Sequence, residues 1–207
     1  LRPYMVHLLI LRAMCCNIYL TMGKYANWKK IILILTCLAL LAGCGSADND
    51  ASKVRLAEVG RLSFQLPESF QDSSTKGLFL SKNYPEDMSN IYVYEEEAYA
   101  DFDLTMRDGQ DEFITNLQDA YQVQYGEKPE ITVLAYEQCP IAGRNAYKIE
   151  LSYSLRESDY YQLEYVIDAE DTYYIAFTQI GEIDYGSEFA SCLDSLHIAM
   201  KDKETNQ

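Results

Sequence analysis

An apolar/polar period of two dominates the chain between residues 54 and 200. Leu62, Phe64 and Leu66 alternate with Ser63 and Gln65 up to Pro67, and short apolar stretches at 77–81 and 91–95 follow loops rich in Ser, Asp, Asn and Pro. This is the pattern of half-buried strands bounded by turns. The clearest strand spans 147–155, where Tyr147, Ile149, Leu151, Tyr153 and Leu155 alternate with Lys148, Glu150, Ser152 and Ser154. A strand at 131–136 precedes it across a turn containing Pro140 and Gly143. Strands at 160–167 and 172–178 follow, and the polar link Asp168, Ala169, Glu170, Asp171 between them is short enough for a hairpin.

The period lengthens to three and four residues in two places. Met106, Phe113, Leu117, Ala120, Tyr121 and Gln124 share one side of a helix expected to begin near Thr105 or Asp108 and to stop at Gly126. Asp108, Asp111 and Glu112 suit its first turn, where the helix dipole favours negative charge. Phe189, Cys192, Leu193 and Leu196 predict a final short helix capped by Asp184 or Ser187, followed by a closing strand at 197–200. The fold class is therefore α+β: an antiparallel β-sheet meander with two flanking helices, in a single domain over 54–200 with a polar tail at 201–207.

A sheet covered on both sides should be apolar on both faces. Lys148, Glu150, Ser152, Gln162 and Glu164 break that expectation and predict that part of the second face is solvated. Tyr92, Tyr94, Tyr160 and Tyr174 are expected to fall on the same face, a contact surface for sugar, peptide or protein. The plainer alternative is that each ring lies flat on its neighbours or under a helix.

The N-terminal region carries a different signal. Eleven apolar residues at 31–41 follow Lys24, Lys29 and Lys30 and lead into Leu41-Ala42-Gly43-Cys44. The run is too short to cross a hydrocarbon core, which needs about 20 residues, and the basic, apolar and small-residue segments in that order read as a secretory signal. The cysteine after two small residues gives it the form of a lipoprotein signal. Residues 1–43 are then presequence, with 1–21 as upstream translation and Met22 opening the signal peptide at 22–43. Cys44 is the expected lipidation site, and its diacylglyceryl group anchors the protein to the extracytoplasmic face of the cell membrane. Residues 44–53 form a small, polar tether reaching at most about 30 Å.

Cleavage before Cys44 changes the charge. All 32 acidic residues lie after it but only 12 of the 17 basic ones, a formal charge of −20. Nucleic acid is thereby excluded as a partner, and an anionic lipid surface would repel the domain, leaving the lipid as the means of attachment. Fifteen of the 18 Tyr remain, whereas the only Trp, Trp28, is in the presequence.

Catalytic chemistry finds little support. His197 is the only histidine after Cys44, too few for a His-rich zinc site. No phosphate loop, nucleophile elbow or Ser-x-x-Lys motif occurs. Asp101 and Asp103, or Asp108, Asp111 and Glu112, could supply oxygen ligands to calcium, but the EF-hand glycine is missing, and solvated loop and helix-start charges explain the same residues. No catalytic, cofactor-binding or metal-ligating residue is assigned. Cys139 and Cys192 are open to two readings, an export-compatible disulfide or a pair of free thiols, with Cys192 packing as a small hydrophobe.

The motifs Leu62-Ser63-Phe64-Gln65-Leu66-Pro67, the Gly143 turn before a long strand, and Tyr173-Tyr174-Ile175-Ala176-Phe177-Thr178 before a last helix and Leu196-His197-Ile198 together resemble the PsbP-like fold. That family includes many small bacterial envelope lipoproteins. The resemblance covers residues 54–200 and implies an antiparallel sheet between helices in an α/β/α sandwich, with a noncatalytic binding or accessory role and no cofactor. The expected function is a lipid-anchored extracytoplasmic module that binds an envelope protein or a small ligand. An envelope enzyme, such as a metal-assisted hydrolase, and a cation-binding module are the alternatives.

Overall fold

The alternating segments form strands, and two further strands appear. The structure, a computed structural model, describes residues 55–200. The signal segment, Trp28, Cys44, the tether and the tail 201–207 lie outside the described residues. In chain order the elements are β1 (Arg55–Val59), β2 (Leu62–Leu66), β3 (Phe70–Asp72), β4 (Leu78–Ser81), β5 (Asn90–Glu97), α1 (Phe102–Asp108), α2 (Gln110–Tyr125), β6 (Thr132–Gln138), β7 (Asn145–Leu155), β8 (Ser158–Ala169), β9 (Asp171–Ile180), α3 (Gly186–Asp194) and β10 (His197–Ile198). The class is α+β and antiparallel, as the alternation predicts. The described residues form two sheets: a seven-stranded one in the order β3-β4-β5-β9-β8-β7-β6 and a three-stranded one in the order β1-β2-β10. The missed strands are β1 and β3, and the closing strand shrinks to His197 and Ile198, paired with β2.

The large sheet has two faces with different covers. Ile91 and Val93 of β5, Tyr173, Ile175 and Phe177 of β9 and Ile167 of β8 point to the small sheet and α3. There they meet Ala57, Val59, Leu62, Phe64, Leu66, Phe189, Cys192 and Ile198 in the main core. Phe64 meets Phe79 edge-on at 5.7 Å, and Phe177 meets Phe189 at 4.9 Å, geometries suited to the ring quadrupoles. The opposite face lies under α1 and α2. The apolar side of β7 is directed there, with Phe102 against Tyr147 and Tyr121 against Tyr153.

The first helix differs from expectation in its start and its continuity. Asp101 caps α1 by accepting from the Leu104 N–H at 3.1 Å, so the helix begins at Phe102. Gly109 then separates it from α2, a break that suits the residue with the weakest helix preference after proline. Among the described residues three helices result, not two. At α3 neither Asp184 nor Ser187 takes the cap position. Tyr185 occupies it, its ring fixed 4.9 Å from Phe70, and Asp184 contributes from one residue earlier by accepting from the Gly186 N–H.

Arg61 ties the β1–β2 turn to the β8–β9 hairpin. Its guanidinium donates to the Asp171 carboxylate at 2.7 Å, to Glu170 at 3.0 Å and to the carbonyls of Ala169 and Ala199 at 2.9 Å each, and it lies over the Tyr173 ring. The acidic hairpin residues Glu170 and Asp171 are thus partly neutralised by the β1–β2 turn. Arg61→Ala is expected to destabilise the domain by about 2 kcal/mol, from hydrogen bonds to charged groups lost at a half-buried site. Denaturant unfolding measures this, and a loss within 0.5 kcal/mol, about that of an ordinary surface change, would contradict it.

Candidate functional site

Cross-strand register lays out the helical face of the large sheet as rows. Tyr92 of β5 aligns with Ala176 of β9 and Glu164 of β8. Tyr94 aligns with Tyr174 and Val166, and Glu96 with Thr172 and Asp168. Further along the strands, Asn90 aligns with Thr178 and Gln162, and Tyr160 with Ile180. All four tyrosines expected to share a face do so. Three of them form one stack: Tyr94 lies on Tyr174 at 4.3 Å and 9°, and Tyr92 is 5.7 Å from Tyr94. Tyr160 stands apart and stacks on Tyr153 at 5.0 Å and 11°.

These two stacks begin two runs of rings. From Tyr174 the contacts pass through its hydroxyl bond to Tyr99, then to Phe102, Tyr147, Tyr136 and Phe113. From Tyr160 they pass through Tyr153 and Tyr121 to Tyr125, over which Arg156 sits at 5.5 Å. Tyr174 is buried, whereas Tyr92, Tyr94 and Tyr160 are half-buried. The tyrosines are therefore neither a bare exposed patch nor wholly covered. Tyr92, Tyr94 and Tyr160 are the parts of the surface that a partner can touch.

Gln162 and Glu164 are on this face and not with Lys148, Glu150 and Ser152, which corrects the expectation that all five share the second face. Lys148 aligns with Tyr165 and Glu150 with Leu163, on the side of the small sheet. There the Lys148 ammonium and the Glu150 carboxylate are 2.5 Å apart, and the Tyr161 hydroxyl donates to Glu150 at 2.9 Å. That end of the small-sheet face is half-buried, so its polar groups meet water in part.

Gln162 and Glu164 are instead enclosed, Glu164 with only 1% exposure. The Tyr121 and Tyr153 hydroxyls share a hydrogen bond, Tyr153 donates to the Gln162 carbonyl at 3.2 Å, and the Gln162 amide donates to Glu164 at 3.2 Å. Hydrogen bonds thus link these buried polar side chains in series. The Tyr153 hydroxyl among them stays protonated. Burial pushes Tyr153 above its ordinary value, with the Tyr121 bond opposing, and burial followed by the charges of Glu164 and Glu96 pushes Tyr94 well above its own. Neutral hydroxyls and stacked rings provide hydrogen bonds and flat apolar area. They provide no ready nucleophile.

The other residues singled out by sequence are dispersed. His197 is exposed on the small sheet. Asp101 caps α1, Asp108 pairs with Arg107 at 2.9 Å, and Asp111 and Glu112 sit in the first turn of α2. Among the described residues no group of three or more His, Cys, Asp or Glu side chains is gathered for a metal. Cys139 and Cys192 are free thiols. Cys192 is fully buried in the main core, where burial pushes its thiol up to about 12, and Cys139 packs half-buried against the same core. The bridge left open by the sequence is not formed.

No protein-family model and no curated protein matches the sequence. Solved structures do resemble it. The solution structure of cyanobacterial PsbP from Synechocystis is 17% identical, covers 77% of this chain and 99% of its own, and superposes with a TM-score of 0.49. A crystal structure from Bacteroides thetaiotaomicron is 12% identical over 69% of this chain and 47% of its own, with a TM-score of 0.44. LpqN, described as involved in cell envelope biogenesis of Mycobacterium tuberculosis, is 10% identical over 67% of this chain and 83% of its own, with a TM-score of 0.42. A PsbP is thus among the solved structures to which the chain is similar. At these identities the likeness is one of chain course, and no role passes from those proteins to this one.

Proposed function

We propose that the protein is a lipid-anchored extracytoplasmic binding module that acts by contact rather than by catalysis, with the Tyr92, Tyr94 and Tyr174 stack at the centre of its contact face. The observation carrying this reading is that stack: three rings on one sheet face, two of them half-buried, beside the row of Glu164. Aromatic rings held by packing give a partner large contact area at little cost in side-chain ordering. Their hydroxyls and the neighbouring amides add directional bonds. Support for the address comes from the Cys44 motif and the short apolar run before it. The partner is an envelope protein or a small ligand that tolerates an acidic surface.

Membrane fractionation of the full chain tests the address. Wild-type protein is expected in the membrane fraction and to survive a high-salt wash, because two acyl chains form a lasting anchor. Cys44→Ser is expected to remain uncleaved, so its membrane form retains Trp28 emission while the mature wild type shows tyrosine emission alone. Trp emission from extracted wild-type protein would show that cleavage before Cys44 does not occur and would overturn the lipoprotein assignment.

A further inference from the structure

At the end of the helical face nearest the β8–β9 hairpin, a row of oxygen donors crosses three strands. Glu96, Thr172 and Asp168 align across β5, β9 and β8, so their side chains rise from the same face. Neighbouring strands are about 4.8 Å apart. Two carboxylates therefore begin about 10 Å apart and can close over the threonine between them.

Thr172 is fully buried, and its hydroxyl has no hydrogen-bond partner. A hydroxyl left in that state costs about 1–3 kcal/mol, so its position in a native sheet points to a ligand atom or a bound water that it serves. The Tyr94 hydroxyl, one row along and within the electrostatic reach of Glu96, is likewise buried without a partner. Negative charge also collects at this end. Asn145 continues the row opposite Asp168 and donates to the Asp103 carboxylate at 2.7 Å, which holds the start of α1 over it. Among the described residues no Lys or Arg pairs with Asp168 or Asp103, and the Arg61 ion pairs are on the other face of the sheet.

We propose that Glu96, Asp168 and Thr172 bind a hard divalent cation of the Ca²⁺ type at this end of the helical face. Carboxylate and hydroxyl oxygens are the donors such ions prefer. An organic ammonium fits less well, since the faces of Tyr94 and Tyr174 are stacked on each other and not turned to a common centre. With two carboxylates and one hydroxyl from the protein, water completes the shell. The affinity is then in the range of extracellular calcium modules, with Kd about 10⁻⁴–10⁻³ M.

The test uses the full chain in detergent. Calorimetric titration with CaCl₂ is expected to show one saturable site in that range. Melting followed by circular dichroism should rise by about 3 °C at saturating CaCl₂ compared with NaCl of equal ionic strength. Asp168→Asn and Thr172→Val, both close in shape to the residues they replace, are each expected to weaken Ca²⁺ binding by about tenfold or more, as changes to metal-supporting residues do, while melting normally without calcium. Absence of saturable binding to the wild type would overturn the proposal. So would variants that bind Ca²⁺ as the wild type does, since the effect would then be that of diffuse counterions around an acidic protein.

Discussion

Gly77→Ala is expected to destabilise the domain by about 3 kcal/mol or more, summing a left-handed backbone cost of about 1–2 kcal/mol and an overpacking cost of about 1–3 kcal/mol. Gly77 has φ +78°, and a Cβ added there would lie 2.1 Å from the Val93 carbonyl oxygen. That oxygen belongs to the backbone of β5, a strand fixed between β4 and β9, and the Val93 N–H donates to the Gly77 carbonyl at 2.9 Å. No side-chain rotation relieves the contact. Gly126 provides the control. It ends α2 at φ +73° with nothing within 4 Å of an added Cβ, so Gly126→Ala carries the backbone cost alone, about 1–2 kcal/mol. Urea unfolding of both variants separates the two effects, and equal losses would show that the close approach to β5 is not real.

Asp87→Ala is expected to cost about 3 kcal/mol through two groups left without an acceptor in the interior. Asp87 is 6% exposed. It accepts from the Tyr185 hydroxyl at 2.5 Å and from the Ser89 N–H at 2.9 Å, while Ser81 bonds the same Tyr185 hydroxyl at 3.2 Å. This cluster joins the loop between β4 and β5 to the start of α3. Burial by itself would raise the Asp87 carboxyl, but the hydrogen bonds from Ser81, Tyr185 and Ser89 outweigh it and hold the group below the ordinary carboxylate range. Its contribution to stability is therefore complete above the unfolded value of about 3.9 and is lost as pH falls through the folded value. Asp87→Asn is expected to remove that acid-side dependence at a smaller cost, since the amide oxygen still accepts from Ser89. Unfolding free energy measured from pH 6 downward checks both points, and parallel pH curves for wild type and Asp87→Asn would contradict them.

The sheet was legible where burial imposes a clean period. Tyr147 to Leu155 alternate because one side of β7 packs under α2 and the other meets water in part, and the tyrosines of β5, β8 and β9 could be placed on one face by counting alone. Short strands left no such record. β3 has three residues, too few to complete a period, and β10 keeps only two of the four expected; the small sheet was missed because β1, which pairs with β2, was not foreseen. The helix start was displaced because the Asp101 cap immediately precedes Phe102, and Gly109 separates the early apolar residues Phe102 and Met106 from the rest of the stripe.

Gln162 and Glu164 were misplaced for a different reason. In β8, apolar or aromatic residues fall on both sides, with Tyr161, Leu163 and Tyr165 on one and Tyr160 and Val166 on the other. Polarity alone suggested water, whereas the network from Tyr121 to Glu164 holds both side chains inside. Alignment of β8 with β7 decides the face, and pairing across strands is not written in either strand by itself. The same holds for Glu96, Thr172 and Asp168, which are distant in sequence and adjacent only in register.

A photoreactive phenylalanine analogue placed at Tyr92 of the full chain, in its native membrane, tests the contact face most directly. The companion position is Gln65, exposed on the small sheet. Illumination is expected to yield a defined adduct from position 92 and none from position 65, and Tyr94→Ala is expected to diminish the adduct. Equal adducts from both positions, or an adduct from position 65 alone, would contradict a binding module that works through its tyrosine face.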